Sequence, residues 1–117
     1  MRRTVLIVDD HAAFRSAARA LLEEAGFDVV GEAADGAAAL AAAAELRPEI
    51  VLLDVQLPDL DGFAVAARLR DGGVEAAIVL TSSRSVSSFR RRLTANPAWP
   101  FIAKSELSGE ALAAAAS

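Results

Sequence analysis

Acidic, hydroxyl and amino side chains stand directly after apolar runs at four places in the chain. These side chains are Asp9 and Asp10, Asp54, Thr81 and Lys104. If each run is a strand of one parallel sheet, the side chains meet at its carboxyl edge, where open α/β sheets bind ligands. Three carboxylates cannot all ionise side by side unless a cation offsets their charge or their pKa values rise. The pattern therefore predicts a site for a hard divalent cation such as Mg²⁺, which takes oxygen ligands.

Each of these residues alone has a simpler interpretation. An aspartate at a strand end commonly forms a turn or caps a helix, because its short side chain accepts hydrogen bonds from free N–H groups. Lys104 alone would be a solvated charge, and Thr81 would begin the turn at Ser82-Ser83. Their joint occurrence at strand ends that converge on one pocket favours a functional site.

Short apolar runs alternate with longer amphipathic stretches, and this alternation predicts five strands and five helices. The predicted strands are residues 5–8, Val29-Val30 (shorter than the first), 50–53, 77–80 and 99–103, and the predicted helices are residues 11–25, 37–46, 63–69, 86–95 and 106–116. Strands that alternate with helices pair in parallel through right-handed crossovers. The predicted fold class is therefore α/β, a five-stranded parallel sheet in the order 2-1-3-4-5 with helices on both faces.

Length and composition predict one small domain. The chain has 117 residues, of which 54% are hydrophobic, and residues 1–117 show no repeat, linker or output domain. Because there is no cysteine, disulfides and thiolate metal sites are excluded. A net charge of −4 disfavours direct binding to nucleic acid or anionic lipid. No apolar run approaches the roughly 20 residues of a membrane-spanning helix, so a soluble, cytoplasmic domain is expected.

Four segments resemble the receiver domains of two-component response regulators, and together they extend over essentially the whole chain. They are VLIVDDHAAFR (5–15), VLLDVQLPDLDGF (51–63), VLTSS (79–83) and FIAKSEL (101–107). Pro58 and Gly62 after the third-strand aspartate, with Thr81 and Lys104 at the family's spacing, make the resemblance specific. The run Asp9-Asp10-His11 particularly resembles regulators that carry a helix-turn-helix output domain.

The resemblance implies that Asp54 accepts a phosphoryl group from a sensor histidine kinase in a reaction that depends on Mg²⁺ or Mn²⁺. The metal ligands that it implies are Asp9, Asp10, Asp54 and the backbone carbonyl of Gln56, with Asp9 acting largely through water. Such a domain is not an enzyme in the usual sense, because it catalyses only its own phosphorylation and dephosphorylation.

The resemblance also implies a conformational switch. Thr81 and Lys104 would bind phosphoryl oxygens, and Phe101 would follow Thr81 inward. Helix four, strand five and helix five would then present a changed surface to an output domain or a downstream protein, and a homodimer is compatible with it. Gln56 and Ser83 occupy positions that influence the lifetime of the phosphoryl group.

Three features fit the family pattern less directly. This chain has Asn96-Pro97-Ala98-Trp99-Pro100 at the place where receivers usually have a glycine-containing turn. Trp99 in this segment is interpreted as a lid on the core, with a partner-binding residue as the alternative. Arg90-Arg91-Arg92 is interpreted as a solvated helix face, with a docking patch as the alternative. We expect His11 close to the acidic pocket but outside the metal shell, because no second His or Cys stands at ligand spacing.

Three other classes of protein are compatible with parts of this pattern. The nearest is a receiver-like interaction domain that signals without phosphorylation. Haloacid-dehalogenase-like phosphatases also use an aspartate after an apolar strand, but they carry an acid/base aspartate two residues later, where this chain has Gln56. A flavin-binding module shares the topology, yet no phosphate-cradling loop follows the first strand.

Overall fold

The computed structural model describes residues 2–117, which form five strands and five α-helices. The strands are β1 (Thr4–Val8), β2 (Asp28–Ala33), β3 (Ile50–Asp54), β4 (Ala77–Ser82) and β5 (Phe101–Ala103). The α-helices are α1 (Ala12–Glu24), α2 (Gly36–Leu46), α3 (Gly62–Asp71), α4 (Arg90–Ala95) and α5 (Gly109–Ala116). Short 3₁₀ helices at Val86–Phe89 and Lys104–Glu106 precede α4 and α5.

All neighbouring strands of the sheet are parallel, and their order is β2-β1-β3-β4-β5. This confirms the predicted fold class and strand order. β3 is central, with β1 on one side and β4 on the other, and Asp54 is the register partner of Thr81. The carboxyl ends of β1, β3 and β4 therefore lie next to one another. Within residues 2–117, none of the helices combines the length and apolar character needed to cross a bilayer.

Two apolar cores lie on opposite faces of the sheet because successive strand residues point to opposite sides. One face carries Val5, Ile7, Ile50, Leu52 and Val79, which pack against α1 and α5 through residues such as Leu22 and Leu112. The other face carries Leu6, Val8, Val51, Leu53 and Leu80, which pack against α2 and α3 and against Phe89 and Trp99. Each fully buried Leu or Ile contributes about 1.5–3 kcal/mol.

Polar side chains determine where three of the helices begin. Asp35, Asp61 and Ser108 accept hydrogen bonds from N–H groups in the first turns of α2, α3 and α5 at 2.7, 2.8 and 3.0 Å. Each of these N–H groups lacks a partner within its own helix, so the cap stabilises the first turn. Gly73 follows α3 with a φ of +81°, a conformation that glycine adopts without strain.

Both predictions about the outer strands need correction. The fifth strand begins at Phe101 rather than residue 99, because Trp99 packs into the core and Pro100 has no N–H to donate. Pro100 still accepts a hydrogen bond from Leu80 N through its carbonyl at 2.8 Å. The second strand is longer than predicted and longer than β1, with 6 residues against 5, because main-chain pairing continues past its two valines.

Helices four and five also differ from their predicted extents. The predicted helix 86–95 begins as a 3₁₀ turn and becomes α-helical only at Arg90, because Phe89, whose side chain is buried, leaves helical geometry with φ −123° and ψ 8°. The predicted helix 106–116 begins only at Gly109, after the extended Leu107 and the Ser108 cap. The remaining boundaries agree with the predicted ones within two residues.

Candidate functional site

The ends of four strands bring the predicted site residues together. Asp54 is the last residue of β3, Asp9 follows β1, Thr81 lies in β4 opposite Asp54, and Lys104 follows β5. Asp54 continues the alternation of Ile50 and Leu52, which places its side chain on the α1 and α5 face of the sheet. Since register partners in a sheet point to the same side, Thr81 shares that face with Asp54.

The ammonium group of Lys104 lies between two buried carboxylates. Its Nζ is 2.5 Å from Asp9 Oδ2 and 3.3 Å from Asp54 Oδ2, and it lies 4.5 Å from the centre of the Phe14 ring. The side chain of Asp9 is completely buried, and that of Asp54 is 5% exposed. The lysine therefore supplies the positive charge that two desolvated carboxylates need.

Burial and charge act in opposite directions on the acidic groups of the site. Burial raises the pKa of Asp54, and the negative charge of Asp9 adds to the rise, although the Gln56 N–H at 3.0 Å and Lys104 act against it. Burial also acts to raise the pKa of Asp9, but contacts with Lys104 and the His11 N–H outweigh it, and the pKa is lowered. The result is an ionised Asp9–Lys104 pair beside an Asp54 whose negative charge is destabilised.

The imidazole of His11 lies against the two adjacent aspartates. Its Nδ1 is 3.0 Å from Asp9 Oδ1 and 3.1 Å from Asp10 Oδ1, and its backbone N–H donates to Asp9 Oδ1 at 2.8 Å. One ligand atom from each of Asp9, Asp10, His11 and Asp54 lies within 4.8 Å of all the others. The ring nitrogen lies among the carboxylates, which confirms that His11 is close to the acidic pocket, and its place outside the metal shell stays a prediction.

Thr81 presents a buried hydroxyl to the site. The residue is wholly buried, and within residues 2–117 its Oγ1 has no hydrogen-bond partner. A buried hydroxyl without a partner costs about 1–3 kcal/mol, so the site favours an incoming group that accepts a hydrogen bond from it. Together with the carboxylates of Asp9, Asp10 and Asp54, this donor set fits an oxygen-ligated divalent cation and an anionic ligand.

Gly62 allows the chain after Asp54 to fold back closely. A Cβ atom at this position would lie 2.3 Å from the carbonyl oxygen of Asp54 and 2.7 Å from Val55 Cα. The Gly62 N–H donates to the Val55 carbonyl at 2.6 Å, and the backbones of Gln56 and Asp61 form an isolated antiparallel β-bridge. The glycine therefore serves backbone geometry beside Asp54. Gln56 itself is exposed, and metal binding by its carbonyl stays a prediction.

Phe101 and Ser83 differ in where the structure places them relative to the acidic cluster. Phe101 is half-buried and packs against Phe89 with ring centres 5.9 Å apart, on the sheet face opposite Thr81. Ser83 is exposed two residues after Thr81. Their predicted switch and lifetime roles therefore stay predictions.

Two residues that support the site, Arg15 and Phe14, were missed by sequence reasoning. Arg15 Nη1 donates to the carbonyl of Asp9 at 2.6 Å, and its Nε donates to Glu32 on β2 at 3.1 Å. Phe14 places its ring beneath Lys104. Helical spacing puts Arg15 one turn after His11, but no local signal links it to Glu32, because that contact requires the β1–β2 pairing.

The doubly wound sheet, with an acidic cluster and a lysine at its carboxyl edge, has a clear counterpart among known proteins. Residues 5–116 match the family model of the response regulator receiver domain, and the chain belongs to this family. The architecture agrees as well: the signal receiver domain of the response regulator NarL from Mycobacterium tuberculosis is 31% identical, with a TM-score of 0.81 over 97% of this chain and 96% of that one.

Two of the relatives, BvgA and PdtaR, are transcription regulators. The chain is 39% identical over 115 residues to BvgA, a transcription regulator of virulence factors in Bordetella pertussis. The matched segment covers 98% of this chain and 55% of BvgA. It is 36% identical over 80 residues to the transcriptional regulatory protein PdtaR of Mycobacterium tuberculosis, covering 68% of this chain and 39% of PdtaR. The chain therefore spans about half the length of BvgA, or less than half that of PdtaR.

Proposed function

We propose that this receiver domain accepts a phosphoryl group on Asp54 from a phosphohistidine of a sensor histidine kinase, in a reaction that needs Mg²⁺ or Mn²⁺. The observation that carries the proposal is the place of the Asp54 carboxylate. It is buried, lies 3.3 Å from Lys104 Nζ, and has ligand atoms of Asp9 and Asp10 within 4.8 Å. A carboxylate in this setting can act as a nucleophile once nearby positive charge keeps it ionised.

In the transfer step, an Asp54 oxygen forms a bond to phosphorus while the P–N bond of the phosphohistidine breaks. The electron pair of that bond stays on the imidazole of the kinase, which takes up a proton. Lys104 is placed to contact one phosphoryl oxygen, and the hydroxyl of Thr81 to donate to another. Asp9, Asp10, Asp54 and the carbonyl of Gln56 would hold the divalent ion, which would supply positive charge to the transferring group.

We further propose that the domain catalyses only its own phosphorylation and dephosphorylation, and that it acts in the cytoplasm. Phosphorylation would draw Thr81 toward the new oxygen, and the packing of Phe101 on Phe89 would change with it. That pair links β5 to the 3₁₀ turn before α4, so the altered surface is the α4, β5 and α5 face. Its partner is an output domain or a downstream protein, and a second copy of the chain is compatible with it.

The test is to incubate the protein with acetyl phosphate and Mg²⁺ and to measure its intact mass. We expect a gain of one phosphoryl group that is lost with EDTA and in Asp54→Asn, which keeps the shape of the side chain. Asp59→Asn is a matched control, because this exposed aspartate of the same loop instead accepts hydrogen bonds from the Gly36 and Ala37 N–H groups at the start of α2. No adduct in the folded wild-type protein, with acetyl phosphate or with a kinase, would overturn the proposal and favour an interaction domain that signals without phosphorylation.

A further inference from the structure

We propose that His11 is a direct ligand of the ion at this site, and that its imidazole gives the site a preference for divalent transition metals such as Mn²⁺, Co²⁺, Ni²⁺ and Zn²⁺ over Mg²⁺. This inference rests on the proposed metal site and adds a nitrogen donor to its oxygen ligands. The chain contains a single histidine, so the nitrogen can come from no other imidazole.

The distances around Nδ1 match those between neighbouring ligands of one ion. Nδ1 lies 3.0 Å from Asp9 Oδ1 and 3.1 Å from Asp10 Oδ1. Adjacent ligands of an octahedral ion with bonds of about 2.1 Å are about 3.0 Å apart. An oxygen of Asp54 lies within 4.8 Å of the same atoms, although it comes from a different strand. The four donor atoms thus surround a single small volume.

Nδ1 is within hydrogen-bond distance of Asp9 Oδ1 at 3.0 Å, so a ring that only hydrogen-bonds the carboxylates is the simpler interpretation. Oδ1 of Asp9 already accepts from the backbone N–H of His11 at 2.8 Å, and Oδ2 is paired with Lys104 at 2.5 Å. Both oxygens of Asp9 therefore keep a partner when the imidazole exchanges its hydrogen bond for an ion. The ring makes no capping hydrogen bond to α1, and its side chain is 68% exposed, so an ion that replaces the hydrogen bond to Asp9 would find Nδ1 accessible.

Ligand chemistry determines which ion benefits from the added nitrogen. Carboxylate, carbonyl and water ligands suit Mg²⁺, whereas imidazole suits Zn²⁺, Ni²⁺ and related ions. Affinity of such mixed sites rises from Mn²⁺ toward Cu²⁺ and is high for Zn²⁺. The usual sequence signal for such a site is a pair of His or Cys residues at ligand spacing. Here the other ligands are aspartates, one of them 43 residues away along the chain at position 54.

The experiment compares untagged wild-type protein with His11→Phe, which keeps a ring of similar size and removes both nitrogens. Mn²⁺ binding is measured by electron paramagnetic resonance, and pulsed experiments detect the coupling of ¹⁴N to the bound ion. We expect a histidine nitrogen coupling in the wild-type protein and none in the variant. The Kd for Zn²⁺ should rise roughly 10- to 100-fold in the variant, while the Kd for Mg²⁺ should change less than about threefold. Circular dichroism of both proteins verifies that α1 is intact.

The outcomes separate this inference from the proposed function. Mn²⁺ that binds the wild-type protein without nitrogen coupling, together with an unchanged preference for Zn²⁺ over Mg²⁺ in His11→Phe, would overturn the role of His11 and leave the aspartate site standing. A wild-type protein that binds neither Mn²⁺ nor Mg²⁺ and takes no phosphoryl group on Asp54 would overturn both. Nitrogen coupling that is lost with His11 would support the inference even if kinase and output partners prove different from those proposed.

Discussion

At the scale of single residues, Lys104 offsets the negative charge of the carboxylates in the site. Its ammonium group touches both Asp9 and Asp54, and those contacts outweigh the effect of its own burial and raise its pKa. The same contacts hold the pKa of Asp9 below its usual value. The lysine is therefore a structural counter-ion as well as a proposed phosphoryl ligand.

Replacing Lys104 should accordingly affect stability as well as phosphorylation. In Lys104→Met we expect the free energy of unfolding in metal-free buffer to fall by about 1–3 kcal/mol, because Asp9 is left buried without its partner. Added Mg²⁺ should recover part of the loss, since a cation can replace the missing charge. Urea denaturation with and without Mg²⁺ measures both effects. Lys104→Arg, which keeps the charge, is the control, and a Lys104→Met protein as stable as wild type would show that the ion pair contributes nothing.

Gly62 limits the space available behind the phosphoacceptor. In Gly62→Ala the new Cβ would meet the Asp54 carbonyl oxygen at 2.3 Å, so the backbone must move, and we expect a loss of about 3 kcal/mol in the free energy of unfolding. Gly73→Ala is the control: its φ is +81° but no heavy atom lies within 4 Å of the added Cβ, so only about 1 kcal/mol of backbone strain is expected. Equal losses in the two variants, measured by chemical denaturation, would contradict the steric argument.

At the scale of elements, α4 is tied to the loop that carries the phosphoacceptor. Arg92 on α4 donates to Asp61 at 2.7 Å and stacks on Phe63 at 4.0 Å from the ring centre. Asp61 also caps α3 through the Ala64 N–H. All three residues of the run Arg90-Arg91-Arg92 are exposed, as the solvated-face interpretation predicts, but Arg92 also makes these contacts to the start of α3. The contact links α4, part of the proposed output surface, to the start of α3.

The Arg92–Asp61 contact should make a pH-dependent contribution to stability. Burial acts to raise the pKa of Asp61, but Arg92 and the Ala64 N–H outweigh it and lower the pKa. A lowered pKa stabilises the fold above the carboxyl's ordinary pKa, and that stability is lost as the pH falls through the lower folded value. Since both side chains are 47% exposed, Arg92→Gln should lose only about 1 kcal/mol at pH 7.

Denaturant titrations at several pH values measure this contribution. The difference between wild type and Arg92→Gln should shrink as the pH drops into the range where Asp61 protonates, leaving only the contact with the Phe63 ring. Arg90→Gln, on the exposed side of the same helix, should behave as wild type at every pH. A difference that stays constant with pH would show that the ring contact, rather than the ion pair, accounts for the effect.

At the scale of the whole molecule, the site lies at the carboxyl edge of the sheet, away from a cavity at the opposite edge. That cavity, about 640 Å³, is lined by Arg47, Pro48 and Glu75 at the amino ends of β3 and β4, and none of the proposed site residues reaches it. This cavity therefore does not mark the functional site. The site is instead marked by charge, because buried carboxylates from separate strands meet there.

Charge repulsion at that edge should make the stability of the whole domain respond to metal. Burial and the charge of Asp9 raise the pKa of Asp54, so ionised Asp54 destabilises the metal-free fold near pH 7. We expect Asp54→Asn to be more stable than wild type without metal. Wild type should gain about 2.7 kcal/mol at a Mg²⁺ concentration 100 times its Kd. Thermal denaturation with and without Mg²⁺ measures both, and a gain in Asp54→Asn equal to that of wild type would place the ion elsewhere.

Much of the fold and the outline of the site follow from the sequence by itself. Apolar runs that end in Asp9, Asp54, Thr81 and Lys104 determine the strands and the edge at which these side chains meet, because strand periodicity and parallel pairing are local rules. Local rules failed where packing decided the backbone. Trp99 turned into the core and shortened β5, in agreement with the lid interpretation, and Phe89 interrupted helical geometry before α4.

Only the tertiary structure decided which groups touch. Lys104 lies between Asp9 and Asp54, and Arg92 contacts Asp61, although no spacing rule connects these segments. The imidazole of His11 lies among the carboxylates because of a side-chain direction that spacing leaves open. The physical reason is that electrostatic and hydrogen-bond energies depend on distances of a few ångströms and on burial. Those quantities exist only once the sheet has assembled.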